Sequence, residues 1–143
     1  MGGTHAYRIA LQTGQFFHII VDQRGVDVVV RLCSPEGKEL SRSDSPNGAF
    51  GPEPLSFIAA NHGTYQLEVR VPDKEAPAGR YEAALTALRD PTSYDKSRIT
   101  AEREFMRAVE LMQSQSPGTQ QDGSSFYTYC RFGNQWTIST NKR

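Results

Sequence analysis

The chain has 143 residues, and its 16 lysine and arginine residues balance its 16 aspartate and glutamate residues. This length fits one domain with an appendage, large enough to bury a core without disulfide or metal staples. The neutral charge and the lack of any basic cluster exclude conventional nucleic-acid binding and anionic-membrane binding, because both need a basic face.

The first part of the chain predicts three short β-strands. Apolar residues recur at every second position within residues 7–11, 17–21 and 26–32, which is typical of strands. The high density of β-branched residues favours a pleated sheet over a helix. Residues 34–37 (Ser-Pro-Glu-Gly) then predict a β-turn, because proline presets φ and glycine tolerates positive φ.

The middle of the chain predicts an edge strand, a loop and three more strands. Residues 38–43 are short and polar, as expected at a sheet edge. Residues 44–54 hold three prolines and two glycines, too many for the interior of a regular element, and therefore predict a loop. Alternation resumes in residues 55–59, 64–71 and 80–87. No helical crossover separates these strands, so about seven to eight strands predict an all-β, antiparallel, jelly-roll-like sandwich.

The last two of these strands begin with similar motifs, Gly63-Thr-Tyr65 and Gly79-Arg-Tyr81. A glycine two residues before an inward tyrosine predicts a tight corner whose ring closes the end of the core. Composition then changes at Asp90-Pro91, which marks the end of the sandwich.

One amphipathic helix is predicted within residues 91–116. Thr92, with Asp95 three residues later, matches a capping box. The apolar positions recur at spacings of three and four and are Ala101, Phe105, Ala108, Val109 and Met112. The charged positions are interpreted as solvated surface and are Arg98, Glu102, Arg103, Arg107 and Glu110.

The C-terminal part divides into a polar linker, residues 117–125, and an aromatic hairpin or frayed tail, residues 126–143. Gly133-Asn134 is a two-residue hairpin signal between two short strands. In that register Arg131 faces Trp136 and Tyr129 faces Ile138, which gives a small aromatic face.

The order of strands and turns in residues 4–90 resembles a bacterial domain family. The matching segments are residues 5–11, 14–15, 21–30, 44–48, 51–53, 63–70 and 79–82, with Ala101-Glu102, Phe105 and Ala108 in the helix. They resemble the pre-peptidase C-terminal (PPC) domain, in the version that precedes tetratricopeptide repeats and a caspase-like CHAT domain. The resemblance implies a non-catalytic jelly-roll-like module of a larger exported or cytoplasmic bacterial protein. Residues 116–143 depart from it, because they do not continue as a repeat.

Four carboxylates give the metal prediction, a calcium site formed by Asp22, Asp27, Asp44 and Glu53. Calcium prefers several oxygen ligands, and these residues lie on strands and turns that can converge at one end of a sandwich. The alternative is that turn aspartates hydrogen-bond to their own backbone. No other cofactor is expected.

No pattern typical of catalysis is found, so the chain is predicted not to be an enzyme. The three histidines lack metal-ligand spacing, and neither an HExxH motif nor a GxSxG elbow occurs. Cys33 and Cys130 lie in dissimilar contexts and are interpreted as separate thiols. No apolar run approaches the roughly 20 residues of a membrane span, and the first residues lack the pattern of a signal peptide.

The sequence therefore predicts a non-catalytic accessory module for protein–protein or matrix attachment. Its expected partners are another protein or the adjoining domains of the same polypeptide. The alternative is a carbohydrate-binding module in which Tyr127, Tyr129 and Trp136 stack on sugars, although these rings can instead pack on the sandwich or the helix. An orphan hydrolase is a third hypothesis.

Overall fold

The computed structural model describes residues 3–114 with their side chains, and the backbone of residues 126–132 and 135–141. The first seven strands are β1 (Thr4–Leu11), β2 (Phe16–Arg24), β3 (Val29–Cys33), β4 (Glu39–Ser43), β5 (Phe50–Ile58), β6 (Gly63–Arg70) and β7 (Arg80–Arg89). They are followed by α1 (Ser93–Ser114), β8 (Phe126–Phe132) and β9 (Gln135–Asn141).

The first seven strands form two antiparallel sheets. The first sheet has the order β1-β6-β3-β4, and the second sheet has the order β5-β2-β7. Three pairs are nested in sequence, since β3 pairs with β4, β2 with β5 and β1 with β6. Rolling such a ribbon of nested pairs produces the jelly-roll winding. The predicted all-β antiparallel sandwich followed by one helix is confirmed.

The two sheets bury a common apolar core between them. Inward positions alternate along each strand, as the period-two pattern predicts. The core residues are Leu11, Phe17, Ile19, Val21, Val26, Val28, Val30, Leu32, Leu55, Ala59, Tyr65, Leu67 and Val69. This cluster draws on strands of both sheets, which holds them together.

The predicted loop over residues 44–54 is wrong in its second half. Pro52 and Pro54 lie inside β5, where they pair in register with Asp22 and Ile20 of β2. Proline is tolerated there because β5 is an edge strand of the second sheet, and its outer edge needs no N–H donor.

The turn and edge strand predicted before this segment are confirmed. The Gly37 N–H donates to the Ser34 carbonyl at 2.8 Å, which closes the turn, and Gly37 has a φ of 88°. This positive φ explains the glycine. The polar strand β4 lies at the edge of the first sheet.

The two Gly-x-Tyr motifs have different roles. Tyr65 is buried, and its hydroxyl donates to the Asn61 carbonyl at 2.6 Å, so it closes a corner as predicted. The Tyr81 hydroxyl instead bonds to Tyr7 Oη at 2.8 Å and to His5 Nδ1. Tyr81 therefore links the edge strands β1 and β7 across the open side of the sandwich.

Strand β7 is mostly exposed, although its register places Ala83 and Leu85 on the inner face. These residues pair with the inward residues Val21 and Ile19 of β2. Nevertheless, Leu85 is 54% and Leu88 is 42% exposed. The inner face of β7 thus extends beyond the part of the second sheet that the first sheet covers.

Helix α1 occupies the predicted region, but the predicted apolar face is partly wrong. Val109 is buried and Phe105 half-buried, whereas Ala101, Ala108 and Met112 are exposed. The true inner face also includes polar residues, because the helix packs against the outer face of the second sheet through hydrogen bonds described below. In the described part of the chain, no helix is both long and apolar enough to cross a membrane.

The C-terminal hairpin has the predicted backbone register. Arg131 pairs with Trp136, and Tyr129 pairs with Ile138. Its side chains, including those of Tyr127 and Cys130, lie outside the described residues. The predicted aromatic binding face therefore stays a prediction.

Candidate binding groove beside the helix

A groove of about 870 Å³ lies between α1 and the neighbouring strands β4 and β5. Its volume falls in the range of typical ligand sites. The apolar and aromatic part of its lining consists of Leu40, Pro54, Leu55, Phe57, Tyr94, Ile99, Ala101, Phe105 and Met106. Strands β4 and β5 are edges of different sheets, so the groove runs along one side of the sandwich, and the helix forms one of its walls.

The first turn of α1 is fixed by a capping box that the sequence predicts. The Thr92 N–H donates to Asp95 Oδ2 at 2.7 Å, and the Asp95 N–H donates to Thr92 Oγ1 at 3.2 Å. Arg89, the last residue of β7, donates to both Asp95 oxygens at 2.6 and 3.1 Å. The Arg89 guanidinium holds the pKa of the Asp95 carboxyl well below its usual range. The helix start is thus tied to the end of a strand.

The middle of α1 is held to β5 by a carboxylate. Glu102 Oε2 accepts from the Ser56 N–H, and Glu102 Oε1 accepts from Ser56 Oγ, both at 3.0 Å. A backbone N–H of an edge strand needs a partner when it is buried, and Glu102 supplies one. The interpretation of Glu102 as solvated surface is therefore wrong.

The outer face of β2 completes this contact. The ring of His18 is buried, stacks on Phe16, and hydrogen-bonds to Thr86 Oγ1 through Nδ1. Arg98 Nη1 lies 3.4 Å from His18 Nε2, and its guanidinium lies over the Tyr94 ring at 5.3 Å. Arg98, like Glu102, belongs to the helix–sheet contact and is not merely solvated.

The charged lining of the groove has a small cationic excess, with four arginines and three glutamates. Arg42 is paired with Glu39 at 3.0 Å. Arg103 and Arg107 are exposed and lie one helical turn apart. Within residues 3–114 neither makes an ion pair. They give the groove two cationic groups beside its apolar lining.

One of the predicted calcium ligands, Glu53, lies inside the sandwich. Its side chain is fully buried, and its oxygens accept from Ser43 Oγ at 2.7 Å, Ser45 N at 2.9 Å and Gln23 Nε2 at 3.2 Å. Burial raises the pKa of Glu53 to about 7, although the hydrogen bonds from Ser43 and Ser45 oppose the rise. Glu53 is therefore the centre of an internal hydrogen-bond network.

The other three predicted ligands have different surroundings. Asp22 pairs with Arg24 at 3.1 Å on the surface of β2. Burial raises the pKa of Asp27 and of Asp44, and the charge of Asp44 raises the pKa of Asp27 further. Among the described side chains, no group of three or more His, Cys, Asp or Glu residues is placed to hold a metal ion. Glu53 points into the core, and the charge of Asp44 acts on both Asp27 and Glu53. The calcium site stays a prediction.

The remaining predicted positions are only partly described. Cys33 is a free, buried thiol, and burial raises its pKa. Cys130 and the aromatic candidates Tyr127, Tyr129 and Trp136 have side chains outside the described residues. Because the side chain of Cys130 is not described, it stays a prediction that the two cysteines are separate thiols.

Comparisons of the chain with models of known protein families and with curated proteins found no match. The resemblance to the PPC domain stays a prediction.

The sequence spacing of two polar side chains, Glu53 and Glu102, indicates that they face inward. A search for apolar residues alone does not detect them. Leu55 and Phe57 alternate on β5, and Glu53 stands two residues before Leu55, on the same face. Glu102 stands three residues before Phe105 and seven before Val109, which places it on the buried side of the helix. Periodicity alone therefore identifies both as inward residues, whatever their charge.

Proposed function

We propose that this chain is a non-catalytic β-sandwich accessory module that binds a protein segment in the groove between α1 and strands β4 and β5. The observation that carries the proposal is the groove itself, whose apolar lining is held open by a helix fixed at two points. Asp95 fixes its first turn and Glu102 its middle. Rigid walls favour binding because little ordering is required when the ligand arrives.

The chemistry of the lining favours an acidic segment with apolar side chains. Arg103 and Arg107 are available on the helix side of the groove, and the half-buried Phe105 and Met106 lie between them in sequence. Such a lining accepts a carboxylate beside a leucine or phenylalanine side chain, since arginine pairs with carboxylates in a forked geometry. The segment can belong to another protein or to an adjoining domain of the same polypeptide.

Two of the three described histidines have structural partners, which supports a non-catalytic assignment. His18 is committed to Thr86 and Arg98 in the helix–sheet contact, and His5 bonds to Tyr81 on the open side of the sandwich. The serines that line the groove include Ser56, which is bonded to Glu102. A nucleophile needs a base within hydrogen-bond reach, and these contacts bind the candidate groups to structural partners. The resemblance to the PPC domain supports the same assignment.

The test is a selection of displayed random peptides on the full chain, with counter-selection on an Ala101→Trp variant. Ala101 is exposed and lines the groove, so tryptophan fills the groove without entering the core. Enriched peptides are expected to combine aspartate or glutamate with leucine or phenylalanine. Their affinities are then measured by fluorescence anisotropy on the wild type and on charge-reversed variants.

The double change Arg103→Glu/Arg107→Glu is expected to raise the dissociation constant of an enriched peptide at least about tenfold. Arg8→Glu, an equal type of charge change on the exposed surface of β1, is expected to alter it less than about twofold. The proposal fails if counter-selection leaves no enriched sequence, or if the enriched peptides bind the Ala101→Trp variant as well as they bind the wild type.

A second candidate function is carbohydrate binding by the C-terminal hairpin. The backbone register that brings Trp136 opposite Arg131 and Tyr129 opposite Ile138 supports it, because aromatic rings on one strand pair form stacking platforms for sugars. Glycan-array binding that Trp136→Ala abolishes would favour this function over the groove. Binding that persists in Trp136→Ala would exclude it.

A further inference from the structure

Strand β7 is an unprotected sheet edge. It pairs with β2 on one side, and no described strand hydrogen-bonds to its other side. With 10 residues it is the longest strand of the sandwich. Residues 83–88 (Ala-Ala-Leu-Thr-Ala-Leu) contain neither a charge nor a proline. An exposed row of backbone donors and acceptors of this kind is a template for pairing with another strand.

The other three edges carry features that discourage pairing. Strand β5 contains Pro52 and Pro54, and β4 has only five residues, of which Glu39 and Arg42 are charged. Strand β1 has Arg8 near its centre. Prolines, short length and central charges are the usual means of blocking edge-to-edge association. Of the four edges, only β7 lacks all three of these features, and its one irregularity is a β-bulge at Thr86.

The sequence of β7 is self-complementary in an antiparallel pairing. The uncharged residues 83–88 are flanked by Glu82 on one side and Arg89 on the other. When the strand is paired with a second copy about the centre of this run, Glu82 lies opposite the Arg89 of the other copy. The same pair occurs twice, because the twofold axis repeats it. Opposite charges directly across an antiparallel pair are stabilising.

A β-bulge brings the outer pairs of this register, residues 82–84 against residues 87–89, onto matching faces, while residues 85 and 86 meet at the bulge itself. Residues opposite each other in an antiparallel pair must point to the same face, whereas residues 83 and 88 of an uninterrupted strand point to opposite faces. In β7 the register against β2 shifts at Thr86, so that Ala83 and Leu88 both pair with inward residues of β2. Glu82 and Arg89 correspondingly both pair with outward residues, Asp22 and Phe16.

The charges of the two copies also connect. Glu82 accepts from Arg24 at 2.9 Å, and Arg89 donates to Asp95 at 2.6 Å, within one copy. The Glu82 side chain remains 60% and the Arg89 side chain 49% exposed. Pairing Glu82 with the Arg89 of a second copy extends these contacts into a row of alternating charges across the interface.

From these observations we propose that two copies of this chain associate through their β7 strands, with Glu82 opposite Arg89 and Ala84 opposite Ala87. The two second sheets then form one continuous sheet of six strands, since each contributes β5, β2 and β7. The groove lies along β5, at the opposite edge of the second sheet from β7. The dimer therefore leaves both grooves accessible, and the proposal is independent of what the groove binds.

The test begins with sedimentation velocity of the full chain from low micromolar to submillimolar concentration, where a monomer–dimer equilibrium is expected. Ala84→Lys places a lysine at the centre of the edge, close to the Arg89 of the other copy, and is expected to raise the dissociation constant at least about tenfold. Ala6→Lys, the same change at an exposed position on β1, is expected to leave it within about twofold. Circular dichroism checks that both variants keep the fold.

The register is tested by disulfide formation in a Cys130→Ser background. An equimolar mixture of Ala84→Cys and Ala87→Cys chains is expected to form a disulfide-linked dimer, because directly opposite Cβ atoms lie close enough for a bridge. Each variant alone is expected to remain unlinked. A monomer at every concentration, a dimer that Ala84→Lys leaves unchanged, or a larger open-ended assembly would each overturn the proposal.

Discussion

The ionisation of Glu53 is expected to make the stability of the sandwich depend on pH. The side chain is fully buried, and its pKa rises from 4.5 to about 7 because burial disfavours the charged form. We expect Glu53→Gln, which removes the charge and keeps the shape, to abolish this dependence. The quantity to compare is the difference in unfolding free energy between wild type and variant, because contributions of other groups cancel in it.

The sign and size of the effect follow from proton linkage. In the unfolded chain Glu53 loses its proton near pH 4.5, whereas in the folded chain it keeps the proton up to about pH 7. Between these values the folded state binds more protons, so stability falls as the pH rises and then levels off above 7. At about 1.4 kcal/mol for each pH unit, the wild type should lose about 3 kcal/mol relative to Glu53→Gln across this window.

The assay is urea unfolding followed by far-ultraviolet circular dichroism at several pH values between 4 and 8. Circular dichroism is preferred because the single tryptophan, Trp136, lies in β9 and not in the sandwich. Glu104→Gln, an exposed change on α1, serves as the control and should show no pH-dependent difference. If the difference in unfolding free energy between the wild type and Glu53→Gln stays constant across this range, the donors around Glu53 keep it ionised throughout. That result would refute the reasoning.

Three further substitutions test contacts that position the helix and the strands. Glu102→Ala should lower the free energy of unfolding by about 1–3 kcal/mol, because it leaves the Ser56 N–H without its carboxylate acceptor; Glu104→Ala should change it by less than about 0.5 kcal/mol. Gly79→Ala should lower the melting temperature, because a Cβ there would lie 2.4 Å from a backbone carbonyl oxygen of the turn after β2; an unchanged melting temperature would contradict that close approach. Tyr65→Phe should cost about 1 kcal/mol in urea unfolding through loss of its hydroxyl hydrogen bond, and a neutral result would show that the corner does not need it.

The β-sandwich was predictable because alternation survives in most of its strands. Leu67 and Val69 on β6, and Phe17 and Ile19 on β2, are buried at every second position. The prediction failed where the position of a strand in the sheet overrides the preference of its residues for a loop. Pro52 is acceptable in β5 only because β5 lies at an edge, and the apolar alternation of residues 55–59 gives no sign of that position.

The groove was not predictable, because its walls come from segments that are distant in the chain. Residues 39–45, 54–57 and 94–110 meet there, and only the folded topology brings them together. The helix face was misassigned for a related physical reason. Apolar patterning selects Ala101 and Met112, whereas the outer face of the second sheet offers a Ser56 N–H and a histidine, which select the polar residues Glu102 and Arg98.

The calcium prediction took the four carboxylates to converge at one end of the sandwich. Glu53 faces inward, because a carboxylate on a turn-rich segment can do so when hydrogen-bond donors lie beside it. Ser43 and Ser45 supply those donors from β4 and the residues after it. Their hydroxyls give no sequence signal, because serine is common in loops for unrelated reasons.

The nested pairing of β3 with β4, β2 with β5 and β1 with β6 also implies an order of folding. The turn at residues 34–37 joins β3 to β4 directly, and each successive pair then closes a loop that the previous pair has already shortened. Each loop closure therefore costs little conformational entropy, even though the last pair joins Thr4 to Arg70. We expect the strand pairs to form outward from Gly37, in the order β3 with β4, β2 with β5 and β1 with β6. During synthesis β1 therefore remains unpaired until β6 has left the ribosome.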